Sequence, residues 1–213
     1  AVLAVLVSIL FNTTVSQGVF VQTGSPELAN LVGAVIAAPF FEESSKGFFL
    51  LVLLVLFRRH FDDVLDGIVF AGVVALGFAT VENVLYYGRG LGGAITQFGL
   101  TSEALKDFFL LFSLRGIFSP WAHVTFTAMI GIGCGISRES HSWFIRIAAP
   151  IAGWVVAVVL HAIWNGMGIV VTVALIQFGF EPVCNIFGLG GQMISLCGFF
   201  ALYIVFEIPF FIL

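Results

Sequence analysis

The first notable property of this 213-residue sequence is how little charge it carries. Lysine and arginine together occur 8 times and aspartate and glutamate 12 times, so charged residues make up 9% of the chain, against about 25% in soluble proteins. So few charges cannot cover the surface of a water-soluble domain, and no basic tract is present to bind nucleic acid. The composition therefore excludes a soluble fold, a disordered chain and a nucleic-acid-binding protein.

Several kinds of reactive site are also missing. Cys134, Cys184 and Cys197 lie in apolar runs without disulfide or metal-site spacing, so we interpret each as a small buried hydrophobic residue. The chain has no glycine-rich phosphate loop, no serine nucleophile elbow and no Cys–His pair. Carboxylates and imidazoles are left as the groups that can support chemistry.

Apolar residues are abundant, at 60% of the chain, and they form long unbroken runs rather than alternating patterns. Long runs favour membrane-spanning helices over a barrel, and one span needs about 20 apolar residues. We predict an all-α, polytopic transmembrane bundle of about six to eight membrane helices, with 1–213 forming a single domain in the lipid bilayer. The predicted spans are 28–57, 64–87, 120–137, 144–166 and 185–213, with 1–11 as the end of a first span.

Small residues recur on two of these spans. They allow helices to approach closely, which is the usual packing geometry in lipid. The residues are Gly67, Ala71 and Ala75 on one span, and Gly131, Gly133 and Gly135 on the other.

Two connections carry clusters of positive charge, one at Arg58 and Arg59 and the other from Arg138 to Arg146. The positive-inside rule makes both connections cytoplasmic. The segment 103–118 then lies on the outer side, and it is too short and too charged to cross. We predict that it is a short amphipathic helix, either interfacial or re-entrant. The apolar piece 169–180 fits either a continued span or a second surface helix.

Several ionisable residues fall inside the predicted spans, where each costs about 2.5–3.5 kcal/mol and is a functional suspect. On four helices one such residue lies 15 or 16 positions from the nearest cytoplasmic charge. At about 1.5 Å per residue, all four lie roughly 22–24 Å above the inner boundary. Two carboxylates and two imidazoles are therefore expected in one layer of the outer half of the membrane: Glu43, Glu82, His123 and His161.

Helical spacing adds neighbours to this layer. Lys46 follows Glu42 by four positions and Glu43 by three, so it can neutralise either carboxylate, and Asn165 follows His161 by four. Taken singly, these residues have structural interpretations, because ion pairs, histidines and asparagines also join membrane helices. Their common level favours a functional cluster.

The cluster suits a hydrolase. Two histidines and a carboxylate form a Zn²⁺ site with an open position, for which Glu82, His123 and His161 are the predicted ligands. A further carboxylate, Glu42 or Glu43, would act as the general base on water. Without metal, two close carboxylates cannot both ionise easily, so the pair itself can supply the acid or base.

In either case water attacks a carbonyl carbon, and neighbouring groups assist. Lys46 would tune the acidic pair, and Asn165 would orient His161 or hold the substrate carbonyl. A proton- or cation-coupled transporter is the alternative, because it also needs buried carboxylates and imidazoles at one level. Transporters tend to contain repeats and matching broken helices, and neither is evident here. A structural membrane protein is a third possibility.

Four motifs also resemble a known family. The residues Glu42-Glu43-x-x-Lys46, Phe78-x-x-x-Glu82-Asn83, His123 with Gly131, and His161-x-x-Trp164-Asn165 occur in the order and spacing of the PrsW family of intramembrane proteases, a relative of the CAAX prenyl endopeptidase (CPBP) superfamily. The motif-bearing core is about 28–170.

The resemblance implies a multi-pass peptidase of a prokaryotic cell membrane. It would cleave a membrane-tethered protein near the outer face, with an anti-sigma factor as the typical substrate. The essential glutamates of the family would correspond to Glu42 and Glu43, and its later motifs to Glu82, His123 and His161. Because Glu82 stands where the prenyl endopeptidases usually have histidine, a prenylated substrate is not expected.

Overall fold

The computed structural model describes residues 1–99 and 101–178, and every regular element in them is helical, as predicted. The elements are α1 (Val2–Thr23), α2 (Pro26–Val32), a first π-helical turn (Gly33–Ala37), α3 (Ala38–Leu56), α4 (Val64–Phe98), α5 (Ser102–Ser113), a second π-helical turn (Leu114–Phe118), α6 (Ser119–Glu139) and α7 (Trp143–Phe178).

Four stretches of the described chain are long and apolar enough to cross a membrane: Val2–Thr23, Val64–Gln97, Ala104–Glu139 and Trp143–Gly166. The predicted span 28–57 corresponds to the continuous helical run from α2 to α3, which carries four ionisable residues. The predicted span 185–213, together with Cys184 and Cys197, lies outside the described residues.

Two helices are longer than predicted. Helix α1 does not end near residue 11 but continues to Thr23, because its polar residues Asn12, Thr13 and Ser16 line an internal cavity instead of ending the helix. Helix α4 continues past residue 87, where Tyr87 packs against aromatic rings of α5.

In two other places the helix continues past the predicted end of an element. Helix α5 occupies the segment predicted to be amphipathic, and it continues through the second π-helical turn into α6 without a break. Helix α7 likewise continues to Phe178, which resolves the first part of 169–180 as an extension of the span.

Glycine contacts hold α6 against its neighbours, as the small-residue pattern predicts. A Cβ atom on Gly67 of α4 would collide with the Gly131 carbonyl of α6, and one on Gly131 would collide with the Gly67 carbonyl. On the other side of α6, Gly133 lies against the Ala149 carbonyl of α7. The backbones of α4 and α7 therefore both touch α6, which forms the centre of the bundle.

The two basic connections lie at the same end of the bundle, in agreement with the predicted topology. Arg138 donates from Nε to the Phe61 carbonyl at 2.8 Å and from its terminal guanidinium nitrogen to the Arg58 carbonyl at 3.0 Å. Cys134 is fully buried nearby, as predicted.

Candidate active site

Helices α3, α4, α6 and α7 bring their ionisable side chains together in the bundle interior. Each of these residues is at most 9% exposed. We call this group the Glu/His cluster, and its members are Glu42, Glu43, Lys46, Glu82, His123 and His161.

Glu43 is held by protein on every side. Its Oε1 accepts from Lys46 Nζ at 2.7 Å and lies 2.9 Å from His161 Nδ1, while its Oε2 accepts from Thr127 Oγ1 at 3.0 Å. The residue is 0% exposed. Glu43 therefore orients His161 through Nδ1. The other ring nitrogen, Nε2, would then be available to a metal.

Lys46 links this carboxylate to the second imidazole. Its Nζ lies 2.9 Å from His123 Nδ1 and 4.5 Å from the centre of the Phe78 ring. His123 Nε2 in turn lies 3.2 Å from Glu82 Oε2. Lys46 is fully buried, so its charge is balanced by Glu43 at 2.7 Å and by Glu42 at 3.7 Å.

Arg115 belongs to the site, although the sequence placed it in a segment predicted to be an interfacial or re-entrant helix. Its guanidinium donates to Glu82 Oε2 at 2.8 Å and to Asn83 Oδ1 at 3.3 Å, and it covers the Tyr86 ring at 3.6 Å. The sequence feature that could have indicated this role is the apolar context of Arg115, because an arginine among phenylalanine and leucine residues needs a partner in lipid.

A cavity of about 480 Å³ opens beside the cluster. Of the two adjacent glutamates, Glu42 lines this cavity, and its buried Oε2 has no hydrogen-bond partner among the described residues. The same oxygen lies 3.9 Å from His161 Nε2. Glu42, rather than Glu43, is thus the member of the pair that can meet water or a ligand.

Three members of the cluster have the arrangement of a metal site. Glu42, His123 and His161 each offer one ligand atom, and these atoms lie within 4.8 Å of one another. Glu82, a ligand predicted from the sequence, lies outside this set, against His123 and Arg115. A buried carboxylate oxygen that accepts no hydrogen bond from the described residues, together with two imidazoles, forms a donor set that fits Zn²⁺.

Asn165 lines the cavity, but its amide nitrogen is engaged elsewhere. It donates to the Ala34 carbonyl of the first π-helical turn at 2.8 Å. His161 is oriented by Glu43 instead.

The sequence model of a protein family described as "PrsW family intramembrane metalloprotease" matches residues 1–205. The chain belongs to the PrsW family. It is 44% identical over 63 residues to Protease PrsW of Bacillus subtilis (strain 168), and this match covers 29% of this chain and 28% of that protein. It is 30% identical over 131 residues to Protease PrsW of Clostridioides difficile (strain 630), which covers 62% of this chain and 48% of that protein.

A third PrsW relative, from Oceanobacillus iheyensis, is 26% identical over 117 residues, which covers 55% of this chain and 46% of that protein. The chain thus matches half or less of the length of each of these curated relatives. No solved structure matches the chain. Membership of the PrsW family, together with the apolar helices, makes this a multi-pass membrane protein of bacteria.

Proposed function

We propose that this PrsW-family chain is an intramembrane endopeptidase that hydrolyses a peptide bond of a membrane-tethered protein near the outer face. The observation that carries the proposal is the Glu42 carboxylate, which has a buried oxygen without a hydrogen bond from the described residues, lies beside two imidazoles and lines a cavity of about 480 Å³. Ionisable groups are costly inside a bilayer, so their retention in one place favours a functional role.

The donor set supports a metal-dependent reaction. Glu42, His123 and His161 would hold a divalent ion such as Zn²⁺. When bound, the ion supplies Lewis-acid polarisation of the scissile carbonyl and a water of increased acidity. In this proposed ligand set Glu42 takes the place of Glu82, which was the carboxylate ligand predicted from the sequence.

Glu82 is the second carboxylate that lines the cavity, and it would act as the proton acceptor. The oxygen of a water molecule bonds to the carbonyl carbon while its proton passes to Glu82. Glu82 then returns the proton to the leaving nitrogen as the carbon–nitrogen bond breaks. Arg115, whose guanidinium lies 2.8 Å from Glu82 Oε2, holds this carboxylate in place.

Glu43 and Lys46 would act behind these groups. Glu43 holds His161 at 2.9 Å, and Lys46 holds His123 at 2.9 Å, so both imidazole rings are fixed before substrate binds. Fixed orientation of ligands and reacting groups is a large part of the catalytic effect in such sites.

The test compares Glu42→Gln and Glu82→Gln with Glu27→Gln, a control on the exposed first turn of α2. Proteoliposomes containing a fluorescent single-span substrate report cleavage, and elemental analysis reports zinc. We expect Glu42→Gln to lose zinc and cleavage, Glu82→Gln to keep zinc but lose cleavage, and Glu27→Gln to keep both.

Each other outcome contradicts a stated part of the proposal. Zinc loss in Glu82→Gln but not in Glu42→Gln would reverse the two assignments. Equal, near-zero zinc in the wild type and in His161→Ala, with cleavage retained by the wild type, would leave a mechanism based on glutamate alone. Gradient-driven flux without any cleavage product would support a transporter instead.

The substrate class follows from the position of the site. A cavity at bilayer depth is accessible to a protein that is itself anchored in the membrane. We propose a tethered regulator of the anti-sigma-factor type, as the family resemblance implies. Replacing the single-span anchor of the fluorescent substrate by a soluble tag should abolish its cleavage.

A further inference from the structure

Two helices of the site begin in the same unusual way. The first π-helical turn, Gly33–Ala37, is followed by one residue and then by Pro39, and Glu42 comes three positions later. The second, Leu114–Phe118, is followed by one residue and then by Pro120, and His123 comes three positions later. Two members of the Glu/His cluster are thus presented by the same local design.

In each case the proline interrupts the hydrogen bonding of the π-helical turn. A π-helical N–H bonds to the carbonyl five residues earlier, and Ala38 does so with Gly33. The next bond of this series would join residue 39 to the Ala34 carbonyl, but proline has no N–H. The same count from Pro120 leaves the Arg115 carbonyl without its partner.

Asparagine side chains fill both positions. Asn165 of α7 donates from Nδ2 to the Ala34 carbonyl at 2.8 Å. Asn83 of α4 donates from Nδ2 to the Arg115 carbonyl, also at 2.8 Å. Each donor comes from a neighbouring helix that itself carries a cluster residue, so the two contacts are equivalent in chemistry and in position.

We infer that Asn83 and Asn165 are positioning residues that replace the N–H groups missing from Pro120 and Pro39. Each amide stabilises one π-helical turn and so sets the rotation of the helix that follows it. An unpartnered carbonyl is costly in lipid, so loss of the amide would favour collapse of the turn to α-helix.

Collapse would move the cluster residues. A π-helical turn contains one residue more than the corresponding α-helical stretch, and one residue corresponds to about 100° of rotation. Such a rotation would turn Glu42 or His123 away from His161 and from the cavity. The inference rests on the proposed function only where the consequence is measured as metal binding or cleavage.

The test restores the missing N–H by removing the proline. Asn165→Leu keeps the approximate size of the side chain but cannot donate. We expect it to weaken Co²⁺ binding, followed by ligand-field absorption, by about 10- to 100-fold, the usual range for supporting residues of a metal site. The double variant Asn165→Leu/Pro39→Ala should recover most of this loss, since the N–H of residue 39 can then reach the Ala34 carbonyl.

The second pair supplies the matched control. Pro120→Ala should rescue Asn83→Leu but not Asn165→Leu, and Pro39→Ala should rescue only Asn165→Leu. Melting temperatures in detergent should show the same pairing, independently of metal or substrate. If Asn165→Leu does not fold, recovery of folded protein with Pro39→Ala but not with Pro120→Ala is the equivalent result.

Two outcomes would overturn the inference. Rescue that is absent, or equal for both prolines, would show that the asparagines do not replace these N–H groups. A Pro39→Ala double variant that regains stability and Co²⁺ binding but stays inactive would show that Asn165 acts on the substrate directly. Failure of the wild type to bind metal or cleave substrate would instead contradict the proposed function, while the stability pairing would still test the inference.

Discussion

Glu42 and Glu43 are neighbours in sequence but have different surroundings. Successive residues of a helix point about 100° apart, so one carboxylate faces α6 and α7 while the other faces the cavity. Glu43 accepts hydrogen bonds from Lys46 and Thr127, whereas Glu42 Oε2 accepts no hydrogen bond from the described residues. Adjacent residues of the same type therefore suit different tasks, one structural and one in contact with ligand.

The counting of residues along each helix succeeded at this scale because helical rise is nearly constant. It predicted that carboxylates and imidazoles from four helices share one level, and the structure brings Glu43 to 2.9 Å from His161 and Glu82 to 3.2 Å from His123. Counting gives height but not direction around the helix. For that reason it could not distinguish Glu42 from Glu43 as the residue that lines the cavity.

Replacing Arg115 tests its contribution to the site. Arg115→Gln removes the charge that pairs with Glu82 at 2.8 Å, and we expect kcat/KM for the tethered substrate to fall by about 10- to 100-fold. Arg115→Lys should fall less, because it keeps the charge but loses the forked geometry that also reaches Asn83. Arg59→Gln, in the exposed connection between α3 and α4, is the control. Equal activity of Arg115→Gln and Arg59→Gln would exclude Arg115 from the reaction.

At the scale of whole elements, the prolines account for what the sequence did not predict. Hydropathy finds apolar runs, but it does not register a single extra residue in a turn, and Pro39 and Pro120 lie inside such runs. The predicted break between 103–118 and the next span reflects the charges of that segment. Arg115 is compensated by Glu82 within the protein, so the helix continues without a break.

The contact between α4 and α6 gives a prediction for one element pair. Gly131→Ala would place a methyl group against the Gly67 carbonyl, and backbone cannot move aside as a flexible side chain can. We expect the free energy of unfolding to fall by about 1–3 kcal/mol, the usual cost of overpacking. Chemical denaturation in detergent measures the change.

Gly92→Ala is the matched control within the same bundle, since nothing lies within 4 Å of a Cβ atom at that position of α4. It should stabilise the helix by about 0.5–1 kcal/mol, because alanine loses less chain entropy than glycine on folding. If both variants change stability alike, the Gly67–Gly131 contact does not hold the two helices together.

At the scale of the whole bundle, the basic connections at Arg58 and Arg138 lie together at one end. The buried acidic, basic and histidine residues of the described chain are the members of the Glu/His cluster. The polar face of α1, with Asn12 and Ser16, completes the cavity beside the cluster. Helix α1 is therefore part of the site, although its sequence carries no ionisable residue to indicate so.

This arrangement predicts which ends of the bundle face the cytoplasm. The positive-inside rule places the connection between α6 and α7 inside, so the turn between α1 and α2 must lie outside. We expect Ser25→Cys to react with a membrane-impermeant maleimide in intact cells and Ser140→Cys to react only after lysis, in a background where Cys134, Cys184 and Cys197 are replaced by alanine. The opposite labelling pattern would place the Glu/His cluster in the inner half of the membrane, and cleavage near the outer face would then be wrong.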